Sequence, residues 1–248
     1  MAVVEMLLRY PVKSCAGEEL DVCYVWFDGL DGDRVFAVVD AETGYAVSAK
    51  KEPRLLEVSA MLVGNEVALV LPDGKMYSGH ECDDALSRFL GRRIKIVRNS
   101  GQPLRYTGLE IEFGENTLLY EKTGETRETR FHDSKPLHLI NLRSMQKIGL
   151  DVENIPRFRP NIVYTADENE EIAGAYVKAG DALLKIVKPT KRCIVITHKQ
   201  KNLPENLQML KNLRIYNGGE LGYYATVVKP GLVGKNATLE FLPSETIP

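Results

Sequence analysis

The sequence predicts a mixed α+β protein, mainly β, whose short strands form a barrel or sandwich rather than a parallel α/β sheet. Three observations carry this. Short apolar, partly β-branched runs recur along the chain, as at Val3–Leu8, Val35–Val39 and Ile162–Thr165. Turn pairs such as Asp73-Gly74, Gly180-Asp181, Pro230-Gly231 and Gly234-Lys235 lie between such runs. Segments with a helical period are few.

Val3–Leu8 and Val35–Val39 read as strands buried on a sheet. Glu66–Pro72, Asp73-Gly74 and Lys75–Tyr77 read as a hairpin on an Asp-Gly turn. Asp83–Leu90 is the first helix, because Leu86, Phe89 and Leu90 share one face and Gly91 stands where a helix ends. A strand at Ile94–Val97 follows. From Asn99 to Arg130 the composition turns polar, with Gly101, Pro103, Gly108, Gly114 and Gly124 as breakers. That stretch marks a boundary between two lobes, an excursion, or an ordinary hairpin pair. In the second half, Leu137–Ile140 reads as a strand, Asn141 caps a short helix running to Ile148, and Gly149 closes it. Ile162–Thr165, Ala182–Val187, Ile194–Thr197, Tyr223–Val228 and Ala237–Leu242 are expected as strands and Pro204–Asn212 as a further helix. At 248 residues the chain can bury one large core or two small ones.

Composition narrows the function. With 32 basic against 34 acidic residues, no global field draws the chain to nucleic acid or to anionic lipid, so any anion must be held locally. The apolar start before Arg9 is far shorter than the roughly 20 residues that cross a bilayer. It also lacks the long apolar region of a signal peptide, so the expectation is a cytoplasmic protein with no membrane partner. Glycine-rich dinucleotide and triphosphate loops, the His-Glu-x-x-His zinc motif and the Gly-x-Ser-x-Gly elbow are all missing. Cys15, Cys23, Cys82 and Cys193 form no Cys-x-x-Cys pair, which argues against a disulfide framework and against structural zinc. His80, His132, His138 and His198 have no metal-like spacing.

Four segments remain as candidates for chemistry: Tyr10-Pro11-Val12-Lys13-Ser14-Cys15, Gly29-Leu30-Asp31-Gly32-Asp33-Arg34, Arg157-Phe158-Arg159-Pro160-Asn161 and Lys191-Arg192-Cys193. Their shared physics is anion capture around a soft ligand. Arginine offers forked donors that suit phosphate, lysine a point charge and Ser14 a hydroxyl. Cations at Lys191 and Arg192 favour the ionised form of Cys193, which suits it to metal binding or to nucleophilic attack. Taken singly, each segment also fits an ordinary turn or strand end; Asp31 and Asp33 read as turn formers, and Cys23 and Cys82 as small buried hydrophobes.

In combination these segments resemble the MOSC family, named for the C-terminal domain of molybdenum cofactor sulfurase. Tyr10 to Cys15, Asp33-Arg34 with Phe36 nearby, and Glu52-Pro53-Arg54-Leu55 resemble its N-terminal β-barrel-like region. Asp133-Ser134-Lys135-Pro136, Phe158-Arg159-Pro160-Asn161, Arg192-Cys193 and Gly222-Tyr223-Tyr224 resemble its MOSC β-barrel domain. The resemblance implies an N-terminal region over 1–100 and a MOSC domain over 101–248. In layout the chain is similar to the mitochondrial amidoxime-reducing component and its bacterial relatives. It implies a molybdenum-molybdopterin cofactor, with Cys193 as catalytic thiolate and metal ligand. It also implies that Lys13, Ser14, Arg34, Ser134, Arg159, Asn161, Arg192 and Tyr224 hold the pterin and its phosphate. The implied function is an oxidoreductase that reduces small N-hydroxylated substrates. With no iron–sulfur cysteine cluster and no flavin or haem motif, separate electron-donor proteins would supply it. Tyr224, Asp133 and a metal-bound water are all open as proton donor. The alternatives are a cofactor or sulfur carrier without its own turnover, and a module binding some other anion.

Overall fold

A computed structural model describes residues 2–100, 105–112, 118–125, 130–132, 134–167 and 175–242. Asp133 lies outside the described residues. The first half contains β1 (Ala2–Arg9), β2 (Glu18–Leu20), β3 (Val22–Trp26), β4 (Gly29–Leu30), β5 (Phe36–Asp40), β6 (Ser59–Val63), β7 (Glu66–Val70) and β8 (Met76–Ser78). Helix α1 (Glu81–Leu90) and β9 (Ile94–Arg98) follow, and then a hairpin of β10 (Arg105–Glu112) and β11 (Leu118–Glu125). Next come β12 (Leu137–Asn141), α2 (Leu142–Lys147), α3 (Ile155–Phe158), β13 (Ile162–Thr165), β14 (Tyr176–Ala179) and β15 (Ala182–Lys191). The described chain closes with α4 (Gln208–Asn217), β16 (Glu220–Lys229), β17 (Gly231–Gly234) and β18 (Thr238–Leu242).

Seven strands close a barrel in the order β13-β12-β16-β15-β14-β18-β1, with β1 hydrogen-bonded back to β13 and β2 added outside β1. Its core takes the inward side chains of these strands, among them Val4, Leu7, Leu139, Ile162, Tyr164, Val177, Leu184 and Ile186. Val4 and Leu7 both face inward although they are three apart, because the β1–β13 register shifts between Val4 and Met6. The β12–β13 pair is parallel, and parallel neighbours need a crossover. Here α2 and α3 supply it, which sets Arg157–Asn161 at the start of β13.

A second core gathers Val12, Val38, Leu55, Leu69, Leu86 and Leu90 under β5, β7 and α1. The expected Asp-Gly hairpin is there as β7–β8, and Gly91 ends α1 in the left-handed region (φ 64°). The polar stretch after Asn99 holds a hairpin, one of the forms expected for it. Among the described residues, three strand pairings cross residue 100: β1 with β13 and with β18, closing the barrel of the second half, and β3 with β17. Among the described residues, no helix is long and apolar enough to cross a membrane.

Three expectations are corrected. Ile194–Thr197 is a 3-10 turn, not a strand, even though its β-branched residues suit one. The carbonyls of Ile196 and His198 are taken by the Arg157 guanidinium and so are not offered to a neighbouring strand. Lys191 accordingly ends β15 and Cys193 caps the 3-10 turn, so the Lys191-Arg192-Cys193 segment leads into no strand. The last helix begins later than expected and runs further, to Asn217. Pro204 gives its carbonyl to Arg157, Asn206 caps Met209 N through its side chain at 3.2 Å, and Gly218 ends the helix at φ 62°.

Candidate functional site

At the end of β1 the chain runs alongside the turn that leads into β5. Arg34 N donates to Tyr10 O at 2.8 Å, Phe36 N to Pro11 O at 2.9 Å, and Lys13 N to Phe36 O at 2.8 Å. Asp33, fully buried, accepts from Tyr10 N at 2.7 Å and pairs with the Arg34 guanidinium. The Tyr10 ring is buried beneath two cations, with Arg159 4.4 Å and Arg34 4.8 Å from its centroid. Burial pushes the Tyr10 phenol up to about 12 against the opposing pull of Arg159 and Arg34, so it stays protonated at neutral pH.

The backbone around this ring is held in an uncommon shape. Ser14 (φ 74°), Arg34 (φ 52°) and Arg159 (φ 54°) all adopt left-handed conformations, and only Lys201 and Asn236 join them among described non-glycine residues. Such conformations cost on the order of 1–3 kcal/mol each, and they persist where surrounding contacts enforce them. Here the contacts are plain. Arg159 Nη1 donates to Cys15 O at 2.6 Å, Arg34 Nη2 to Arg159 O at 3.4 Å, and Ala49 N to Ser14 Oγ at 3.0 Å. Lys13 Nζ donates to Phe131 O at 3.0 Å, and Phe131 N to Arg34 O at 3.1 Å. Half-buried Ser134 follows on that same loop.

Of the expected residues, Arg34 and Arg159 thus meet over Tyr10, while Lys13 is linked to Arg34 through Phe131 and Ser14 is held by Ala49 N. Asn161 belongs to the same group as a brace: its Oδ1 accepts from His138 N at 3.2 Å and Arg34 Nη1 at 3.4 Å, while Nδ2 donates to Leu8 O at 3.2 Å.

Arg192 bridges this cluster to Cys193. Its Nη2 donates to Phe158 O at 2.6 Å, and its Nη1 lies 3.4 Å from His138 Nε2. The His138 ring is 5.7 Å from that of Tyr224, its partner across the β12–β16 pair. Gly222 makes this approach possible. At φ 78°, an added Cβ would sit 2.4 Å from Leu139 O and 2.7 Å from His138 Nε2. Gly222→Ala is therefore expected to cost about 1–3 kcal/mol and to lower the melting temperature, whereas Gly44→Ala, equally left-handed but in open space, should cost less.

The four thiols divide sharply. Cys15, Cys23 and Cys82 are buried and only Cys193 is exposed. Burial pushes the Cys15 thiol up to about 12 and raises those of Cys23 and Cys82, so none of the three serves as a thiolate at neutral pH.

Sequence reasoning missed four members of this site: Tyr10 as its hub, Asp33 as the arginine's counter-ion, and the two histidines His132 and His138. No spacing rule finds the histidines, because their partners are remote in sequence. His132 is braced by Asp28 O at 3.0 Å, and its ring lies 3.9 Å from the Asp33 carboxylate. Burial lowers His132 to about 4, with Arg34 and Arg130 adding to the effect, and burial likewise lowers His138 well below its ordinary value. Both rings are neutral when folded. The contribution of His132 to stability is complete above the ordinary value of 6.5 and is lost as pH falls from there toward about 4, because the unfolded chain binds protons that the folded one refuses; His138 acts in the same direction. Thermal melts across that window should lose roughly 3 kcal/mol for His132 alone, and His132→Gln should flatten the slope.

Comparison with known proteins agrees with this layout. The MOSC domain profile matches residues 126–240, and the MOSC N-terminal beta barrel domain profile matches residues 1–86. This chain belongs to the MOSC family. Among curated relatives of this MOSC protein, mitochondrial amidoxime reducing component 2 of Rattus norvegicus is 27% identical, over 87% of this chain and 73% of the relative. Mitochondrial amidoxime-reducing component 1 of Xenopus laevis is 27% identical over 79% and 66% of the two chains. Molybdenum cofactor sulfurase of Drosophila grimshawi is 22% identical over 88% of this chain, which spans only 31% of that protein. The solved YUAD protein of Bacillus subtilis has the same fold, at a TM-score of 0.50 and 13% identity, over 97% of this chain and 96% of that one. The mainly β reading, with a MOSC N-terminal barrel region and a MOSC domain, is borne out.

Proposed function

We propose that this MOSC protein binds a molybdenum-molybdopterin cofactor through the Cys193 thiolate and reduces N-hydroxylated compounds with electrons from separate donor proteins. The observation that carries the reading is the position of the one exposed thiol, next in the chain to an arginine whose guanidinium reaches His138 and Phe158. The donor set fits the group. A soft sulfur suits molybdenum, and Arg34, Arg159, Arg192 and Lys13 suit a phosphate. Bound there, the cofactor supplies the two-electron chemistry that removes oxygen from an N–OH group.

The chain's own side chains orient and hold. Arg34 is fixed by Asp33 and Asn161, and Arg159 by Cys15 O, so the forks that meet an anion are already in place before it binds. Tyr10 stays neutral beneath Arg34 and Arg159, and His138 stays neutral beside Arg192, so neither ring adds charge to the cation cluster that Asp33 balances at Arg34. The test is production in a cofactor-synthesising host. Molybdenum stoichiometric with protein, and reduction of an aryl amidoxime to the amidine with a chemical donor, are expected; protein free of molybdenum would sink the reading. The likeness to cofactor sulfurases favours one second reading, a carrier of cofactor or sulfur. Its mark would be molybdenum bound without turnover.

A further inference from the structure

We infer that Arg157 is a positioning residue for Cys193, and that the α3 turn clamps the cysteine from both sides. Arg157 is 2% exposed and sits in the last turn of α3. Its Nη1 donates to Ile196 O at 3.1 Å and to His198 O at 2.9 Å, and its Nη2 to Pro204 O. All three acceptors lie in the segment that follows Cys193. The next residue, Phe158, gives its carbonyl to Arg192, directly before the cysteine. Between the two grips Cys193 is extended (φ −120°, ψ −178°), and its carbonyl accepts from Ile196 N at 3.3 Å to start the 3-10 turn.

A planar guanidinium spans three carbonyls in a fixed fork, which a lysine ammonium cannot reproduce. Ordinary packing does not require it, because Ile155, Phe158, Ile196, Met209 and Leu213 already form an apolar cluster there. What the fork adds is a set position for the exposed sulfur. Arg159, beyond Phe158, reaches Cys15 O, so the same short turn also aligns the cation cluster with the thiol. Groups that orient a ligand typically carry a 10–100-fold effect on metal affinity.

The inference rests on Cys193 being the ligand, and the test separates the two ideas. Arg157→Ala is compared with Leu213→Ala, a buried truncation in the same cluster. Readouts are the melting temperature, the rate of N-ethylmaleimide addition to Cys193 in cofactor-free protein, and the sulfur-to-molybdenum charge-transfer absorption of protein from a cofactor-synthesising host. Both variants should melt earlier. Only Arg157→Ala should change the maleimide rate, on the order of tenfold, and lose or shift the band. Should Arg157→Ala not fold, Arg157→Lys, which keeps the charge but not the fork, is judged by the same readouts. Wild-type maleimide rate in the arginine variant, or an equal change in Leu213→Ala, overturns the clamp. A wild-type protein without the band overturns the ligand reading and leaves the maleimide comparison to decide the clamp.

Discussion

Replacing Cys193 with serine is expected to cut amidoxime reduction by at least roughly 100-fold while the fold survives. The exchange is nearly isosteric at an exposed position and removes no buried contact, so stability should stay within about 0.5 kcal/mol. What changes is the donor. A hydroxyl is hard and stays protonated where a thiol ionises, so it is a poor ligand for molybdenum. Arg34, Arg159 and Lys13 are untouched and should still hold the pterin phosphate. Cys82→Ser is the control: its Sγ is buried near Tyr77 O and Val67 O, and activity per folded molecule should match wild type. Turnover with a chemical donor, normalised to folded protein, decides between them.

Asp33→Ala should give the largest loss of stability, about 3–5 kcal/mol. Its carboxylate is fully buried, pairs with an Arg34 that is itself 13% exposed, and accepts from Tyr10 N. Removing it leaves a mostly buried guanidinium and a backbone amide without that acceptor. Asp33→Asn keeps an oxygen for Tyr10 N but not the charge, so its loss should be smaller. Urea unfolding of the three proteins measures the order. Equal midpoints for wild type and Asp33→Ala would mean that the pair does not hold Arg34 in place.

Most of the barrel was legible in the sequence because its strands are locally consistent: β1, β12 and β13 are apolar runs bounded by turns or caps. Glycine marked the ends of α1 and α2 for the same local reason. The cation cluster was legible in part, since Arg34, Arg159 and Arg192 stand in short, recognisable segments. What stayed hidden depends on contacts across the chain. Ile194–Thr197 has strand propensity, yet its backbone is claimed by Arg157, which no local pattern reveals. His138 gains a role only once β12, β16 and Arg192 converge on it, and Asp33 looks like a turn residue until Tyr10 N is found on its carboxylate.

The proposed function stands on a bond between the Cys193 sulfur and molybdenum. X-ray absorption at the molybdenum edge, on wild type and Cys193→Ser loaded in the same host, tests it most directly. A Cys193 sulfur bound to the metal requires one sulfur neighbour fewer in the variant, with the remaining sulfur shell unchanged. An identical sulfur shell in both proteins would contradict it, because the cysteine would then not be bound to the metal.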